Sequence, residues 1–146
     1  MTPAEIVEAL NLEPLPHEGG LYAQTLVDEH STAIYFLIER PSFSALHRLS
    51  STEVFHYYAG APAQMLLLHA DGSIDEPVIG PNLAAGERPQ VIVTAGTWQG
   101  TSTCGEWTLL GTTVAPGFTW EGFELGKRVA LTTTWPAAAS RIAELS

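Results

Sequence analysis

Two histidines, one carboxylate and two tyrosines fall within Phe43 to Gly60, FSALHRLSSTEVFHYYAG. An imidazole beside a carboxylate is the pairing that general acid–base chemistry uses. Histidine titrates near neutrality, and a sheltered carboxylate moves towards the same range. The candidate proton-transfer groups are therefore His47, Glu53 and His56, with Tyr58 or Tyr57 as the opposing acid. Burial would raise the pKa of Glu53, and a nearby imidazolium would lower it again. Read as a strand, EVFHYY places Glu53, Phe55 and Tyr57 on one face and Val54, His56 and Tyr58 on the other. A carboxylate alternating with aromatics suits a barrel interior that holds a ligand. An exposed Glu53 beside a core-satisfied His56 is the alternative that this pattern leaves open.

A second set of side chains is suited to binding. Trp98 and Gln99 follow the turn at Ala95-Gly96, where a pocket wall is natural. Tyr22 and Tyr35 could turn their hydroxyls towards a ligand, although a buried tyrosine bonded to backbone is the commoner arrangement. Phe118, with Trp120 and Phe123, could cap a pocket, form a contact between subunits or pack in the core. Arg48 and Arg88 could line a pocket mouth. His17 and Glu18 are read as solvated loop residues. The Gly19-Gly20 pair after them implies a tight turn or a close backbone approach. Cys104 sits in a polar tip without a basic neighbour, which does not suit a nucleophile.

The elements that must position these residues are mostly strands. Thr2-Pro3-Ala4-Glu5 reads as a capped helix start, and the helix is expected over 3–12, ending before Pro14. LYAQTLV, STAIYFLI, AQMLLL, IDEPVIG, VIVTAG and WTLLGTTVA read as strands, from their β-branched and aromatic content and their turn-forming flanks. The segment from Gly100 to Gly105 reads as a polar tip, RVALTTTW as a last strand, and PAAASRIAELS as a C-terminal helix over 137–145. About eight short strands without βαβ spacing, and helices only at the ends, predict an antiparallel sandwich or barrel. The sheet is expected over roughly 19–135, within a single domain of residues 1–146.

Composition narrows the partners. Six basic against sixteen acidic residues give a formal net charge of −10, which repels phosphate backbones and argues against nucleic acid. One cysteine rules out an intramolecular disulfide framework and fits a reducing compartment. No apolar run approaches membrane-spanning length. The N-terminus lacks the basic start and apolar core of a signal peptide, so a cytoplasmic location is expected. No motif for nicotinamide, flavin or pyridoxal phosphate is present.

The run His47 to Gly60 resembles the first cupin motif, in which a glutamate is followed seven positions later by a glycine; Glu53 and Gly60 keep that spacing. Thr94 to Gln99 is similar to the second motif, with Gly96 as its turn glycine. The phrases PHEGGLY, STAIYFL, HRLSSTEVFHYYAG, LLLHADGS, GERPQ, AGTWQ and GTTVAPGFTWEGFEL resemble the small cupins known as a domain of unknown function. That resemblance implies an all-β, cupin-type double-stranded β-helix, a jelly-roll barrel with short terminal helices, and commonly a homodimer.

A metal-binding cupin would present an HxH pair, a glutamate and a histidine from the second motif. Here the pair reads His47-Arg48-Leu49, and the second-motif position is Gln99. His47, Glu53 and Gln99 remain as a weak ligand set, because an amide oxygen is a poor ligand for zinc or iron. No cofactor is expected, and a weakly bound divalent metal stays open. The composition also resembles, in fold and residue type, the metal-free sugar-nucleotide epimerases of the superfamily, which pair a histidine base with a tyrosine acid. Three functions follow as expectations. The first is a metal-independent isomerase, epimerase or lyase acting on a small polar or sugar-like molecule. The second is a non-catalytic small-molecule binder, and the third a weak metallo-cupin.

Overall fold

The computed structural model describes residues 1–146. Helix α1 spans Pro3–Leu10, and Thr2 and Glu5 close a reciprocal capping box at its start. The strands in the first half are β1 Glu13–Pro14, β2 Leu21–Val27, β3 Thr32–Glu39, β4 Ser44–Leu49, β5 Thr52–Gly60 and β6 Ala63–Leu68. The second half adds β7 Ile74–Asp75, β8 Val78–Ile79, β9 Gln90–Val93, β10 Trp98–Thr103, β11 Trp107–Ala115 and β12 Phe123–Leu125. Helices α2 Arg128–Thr134 and α3 Ala139–Glu144 close the chain. No helix is long and apolar enough to cross a membrane.

Two antiparallel sheets face each other, the first ordered β1-β2-β3-β11-β5-β9 and the second β12-β4-β10-β6-β7, with β8 beside β6. This is the double-stranded β-helix that the cupin resemblance implies, within the antiparallel barrel that the strand pattern predicts. Between the sheets Phe36, Ile38, Phe55, Met65, Ile79 and Leu110 are buried almost completely. Each sheet also covers part of its outer face. Ile6 and Leu12 pack on Leu37, while Leu131, Trp135, Ile142 and Leu145 pack on Leu46, Leu66 and Leu68. The barrel is thus clamped from both sides, leaving one end for a site.

Three segments differ from the sequence expectation. RVALTTTW forms a helix, so the sheet ends at Leu125 rather than near 135. Its β-branched residues favour a strand, but Leu131 and Trp135, four apart, share one buried helical face. Thr133 and Thr134 donate their hydroxyls to the carbonyls of Val129 and Ala130, which satisfies them inside the helix. Packing on the sheet outweighs the local preference. The supposed polar tip from Gly100 belongs largely to β10, which pairs with β6 as far as Thr103. Strand β4 itself runs through His47 to Leu49. The N-terminal helix stops at Leu10, where Asn11 takes the left-handed conformation that closes it.

Candidate functional site

His47 and Glu53 belong to opposite sheets and face each other across the interior. On β4, His47 lies opposite Gln99 of β10 and Leu125 of β12. On β5, Glu53 lies opposite Val93 and Val114. Both are buried, His47 at 1% exposure and Glu53 at 7%. Gln99, equally buried, bridges the sheets by donating Nε2–H to Glu53 Oε1 at 3.0 Å. Gln99 Oε1 has no partner. By turning its amide over, this residue can serve either state of Glu53, donating to the carboxylate or accepting from the acid.

His47 is oriented by its surroundings. Its Nδ1 lies 2.7 Å from the carbonyl of Ala45, which can only accept, so Nδ1 carries a proton. Nε2 is left to face the interior, 3.4 Å from Glu18 Oε1, and Phe123 stacks on the ring at 5.1 Å. The other oxygen of Glu18 accepts from Ser44 Oγ at 2.6 Å.

Sequence reasoning placed Glu18 in solvent; the fold brings it inside, with 12% of its side chain exposed. The paired glycines make this feasible. Both have positive φ, and a Cβ would meet the Phe43 carbonyl oxygen at 2.4 Å from Gly19 and the Phe36 ring at 2.5 Å from Gly20. The glycines let the turn press against β3 and β4, where the backbone of Glu18 accepts from Ala45 N at 2.9 Å. That close approach was legible in the sequence, but not the residue it would deliver.

A cavity of about 110 Å³ opens beside these groups. Tyr22, Phe36, Phe55, Phe118 and Trp120 supply its aromatic walls, and Leu49, Ile34 and Val114 add aliphatic ones. Trp120 is 45% exposed and stands at the rim, edge-on to Phe118 and Phe123 at 4.9 and 5.2 Å. Thr112 of β11 carries no binding signal in the sequence, and Trp120 enters there as a pocket-cap candidate beside Phe118; both line the space.

Burial is the main reason that the pKa of Glu53 rises from 4.5 to about 7. The negative charge of Glu18 adds to the rise, and His47, Thr112 and Gln99 oppose it. A carboxyl group that changes state near neutrality is what proton transfer in a water-poor cavity requires.

The other sequence candidates divide by face. Tyr22 and Phe118 line the cavity. Tyr57 points inward but is engaged locally, its hydroxyl donating to the Gly60 carbonyl at 2.7 Å. His56, Tyr58 and Tyr35 lie on the outer face of the first sheet instead of sharing the interior with His47. His56 Nε2 is 3.2 Å from Thr113 Oγ1, and Tyr58 contacts the rings of His56 and Tyr35. A bulge between Leu109 and Leu110 makes Tyr58 the extra residue of β5, and it does not turn His56 inward. Trp98 and Arg48 are also outside the cavity. The guanidinium sits 4.6 Å over the Trp98 ring and pairs with Glu124 at 3.0 Å.

This outer placement carries its own prediction. A Cβ on Gly111 would meet the Tyr58 ring at 2.3 to 2.5 Å, so Gly111→Ala should displace that exposed ring. Ligand binding in the cavity should stay within about twofold of wild type, with about 1 kcal/mol of stability lost. Calorimetric titration and thermal melts read the two effects.

Residues 4–126 match the family described as Cupin superfamily (DUF985). The chain belongs to this cupin family. Among solved structures, a protein of Shewanella oneidensis is 31% identical, with a TM-score of 0.91 over 100% of this chain and 98% of the other. A hypothetical protein from Leishmania major is 27% identical, with a TM-score of 0.93 over 100% and 99%. Oxalate decarboxylase of Bacillus subtilis is 11% identical, with a TM-score of 0.64 over 93% of this cupin and 38% of that chain; it shares the fold alone. No curated protein matches the sequence.

Oxalate decarboxylase is described with Mn(II) centres, so the fit of a metal to this cupin's donors is a real question. Leu49 stands where the second histidine of an HxH pair would be, and it lines the cavity as a hydrocarbon wall. Gln99 stands at the second-motif histidine position, and its amide oxygen is a poor ligand for zinc or iron. No three His, Cys, Asp or Glu side chains converge in a metal-ligating group. The histidine-rich donor set of a metal-binding cupin is absent from these positions, and His47, Glu53 and Gln99 keep only the weak set that the sequence shows.

Proposed function

We propose that this cupin is a metal-independent acid–base enzyme, of isomerase or lyase type, acting on a small polar molecule in the barrel cavity. The observation that carries the reading is a buried Glu53 whose pKa lies near 7, placed across an apolar cavity from an imidazole whose Nε2 faces the interior beside Glu18. Glu53 as carboxylate removes a proton from a carbon next to a carbonyl. The electron pair moves to the carbonyl oxygen, which takes the Nε2 proton of His47 in its doubly protonated form beside Glu18, leaving the ring neutral with its proton on Nδ1. The reverse transfers at the neighbouring carbon return both protons, so no cofactor is consumed. The Ala45 carbonyl holds Nδ1, so Nε2, beside Glu18, is the nitrogen able to take part. Of the tyrosines, Tyr22 lines the cavity, while Tyr57 is held by the Gly60 carbonyl and Tyr58 lies on the outer face.

Size limits the substrate. An engineered cavity of about 150 Å³ in another protein holds benzene, so about 110 Å³ suits a compact molecule. A sugar nucleotide, the ligand of the epimerases that the sequence resembles, is too large to be enclosed.

The test is deuterium incorporation. The full chain is incubated in D₂O with small hydroxy-carbonyl and amino-carbonyl compounds, and exchange at the carbon beside the carbonyl is followed by NMR. Wild type should exchange at least one compound about 10²-fold or more above the buffer rate. Binding without exchange anywhere in the panel would leave a ligand-binding cupin and remove the enzyme reading.

A further inference from the structure

The six lysines and arginines of the chain are Arg40, Arg48, Arg88, Lys127, Arg128 and Arg141, and none of them lines the cavity. Arg48 is held outside by Glu124 and Trp98. Arg128 and Arg141 are bound to the C-terminal segment and the second sheet. Two carboxylates, Glu18 and Glu53, do face the cavity, with His47 as the one group there able to carry positive charge. With Glu18 ionised, the lining is never net positive, whatever the state of the other two. An anion entering this space would lose its hydration and meet two carboxyl groups, a cost that one imidazole cannot offset.

A cation meets the opposite conditions. The aromatic walls present rings to the interior, and ring faces attract ammonium groups, most strongly when the site is dry. Trp120 and Phe118 at the rim and Tyr22 and Phe55 within supply such rings. The fold holds Glu18 close enough to oppose the ionisation of Glu53, and a bound cation would relieve that repulsion. A buried like-charge pair walled by aromatics is costly to an empty barrel and favourable to one that holds an ammonium.

We propose that the cavity takes a small organic ammonium compound of about five to eight non-hydrogen atoms, its charge placed between Glu18 and the aromatic rim. The inference deepens the site reading above. It rests on the cavity being the binding site and not on the proton-transfer step.

Three molecules of similar shape and different charge test it: tetramethylammonium, tert-butanol and pivalate, each titrated calorimetrically into the full chain at low ionic strength and about pH 8. Tetramethylammonium should bind about tenfold or more tightly than tert-butanol, and pivalate should show no heat of binding. Glu18→Gln should lower the affinity for the cation about tenfold and leave tert-butanol within about twofold. Should that variant fail to melt cooperatively, Trp120→Leu at the exposed rim replaces it, and it too should weaken the cation selectively. Equal or tighter binding of tert-butanol or pivalate, or no binding of any of the three, overturns the proposal. A cation preference without deuterium exchange keeps the ligand class and removes the catalysis. Exchange of neutral compounds without a cation preference does the reverse.

Discussion

Glu53→Gln is expected to lower the exchange rate on any substrate found by about 10²- to 10⁴-fold, the usual contribution of a positioned general base. The variant keeps shape and hydrogen bonding. Gln99 donates to Glu53 in the wild type, and an amide at position 53 can still accept that bond with its oxygen. Ligand affinity for a neutral compound should therefore change by no more than about threefold, so the loss appears in kcat rather than KM. A variant that kept wild-type exchange would remove Glu53 from the chemistry and with it the proposed mechanism.

The second large effect is on stability. The pKa of Glu53 is raised in the folded protein, from 4.5 to about 7, by burial first and the charge of Glu18 second. The folded state therefore binds more protons than the unfolded state between those values. Stability falls as pH rises through that window. The groups facing Glu53 are Glu18 from the β1–β2 turn, His47 on β4, Gln99 on β10 and Thr112 on β11, and of these only Glu18 opposes ionisation. A shift of that size corresponds to about 3 kcal/mol. Wild type should be most stable near about pH 4.5 to 5 and should lose most of that amount by about pH 8. Glu53→Gln should be nearly flat across the window and more stable than wild type at its upper end. The depressed carboxyls of Glu5, Asp28 and Asp71 act in the opposite sense and at lower pH, outside this window. Urea unfolding at a series of pH values reads the slope directly, and a wild-type curve that rises from pH 5 to 8 would contradict a buried, neutral-leaning Glu53.

Both effects come from one feature, a carboxyl group held away from water by a closed sheet. The same arrangement that costs stability supplies a proton acceptor at neutral pH, a trade common at active sites. It also explains the hydrocarbon walls. Exchanging Leu49 or Phe55 for polar residues would admit water and return Glu53 towards an ordinary carboxylate.

Strand alternation in EVFHYY, by itself, determined that Glu53 and Phe55 share one face while His56 and Tyr58 take the other, and the structure keeps that division. The period of two is a local property of extended backbone. The two motif glycines and the jelly-roll strand pattern were legible for the same reason: turns and pleats are written in neighbouring residues. Which face lies inside was not local, so His56 and Tyr58 were grouped with His47 although they point away from it.

Only the tertiary structure decided what meets what. Glu18 reaches His47 because two glycines let a turn press against β3 and β4, and that contact joins residues far apart in the chain. Phe123 covers the same imidazole from β12, and Gln99 crosses between sheets to reach Glu53. The Arg128–Thr134 segment is a helix because the second sheet offers its apolar outer face to Leu131 and Trp135, which no window of local propensity contains. Charge in the cavity follows the same rule. The residue types are in the sequence, but the exclusion of every lysine and arginine from the lining is decided by where the two sheets close.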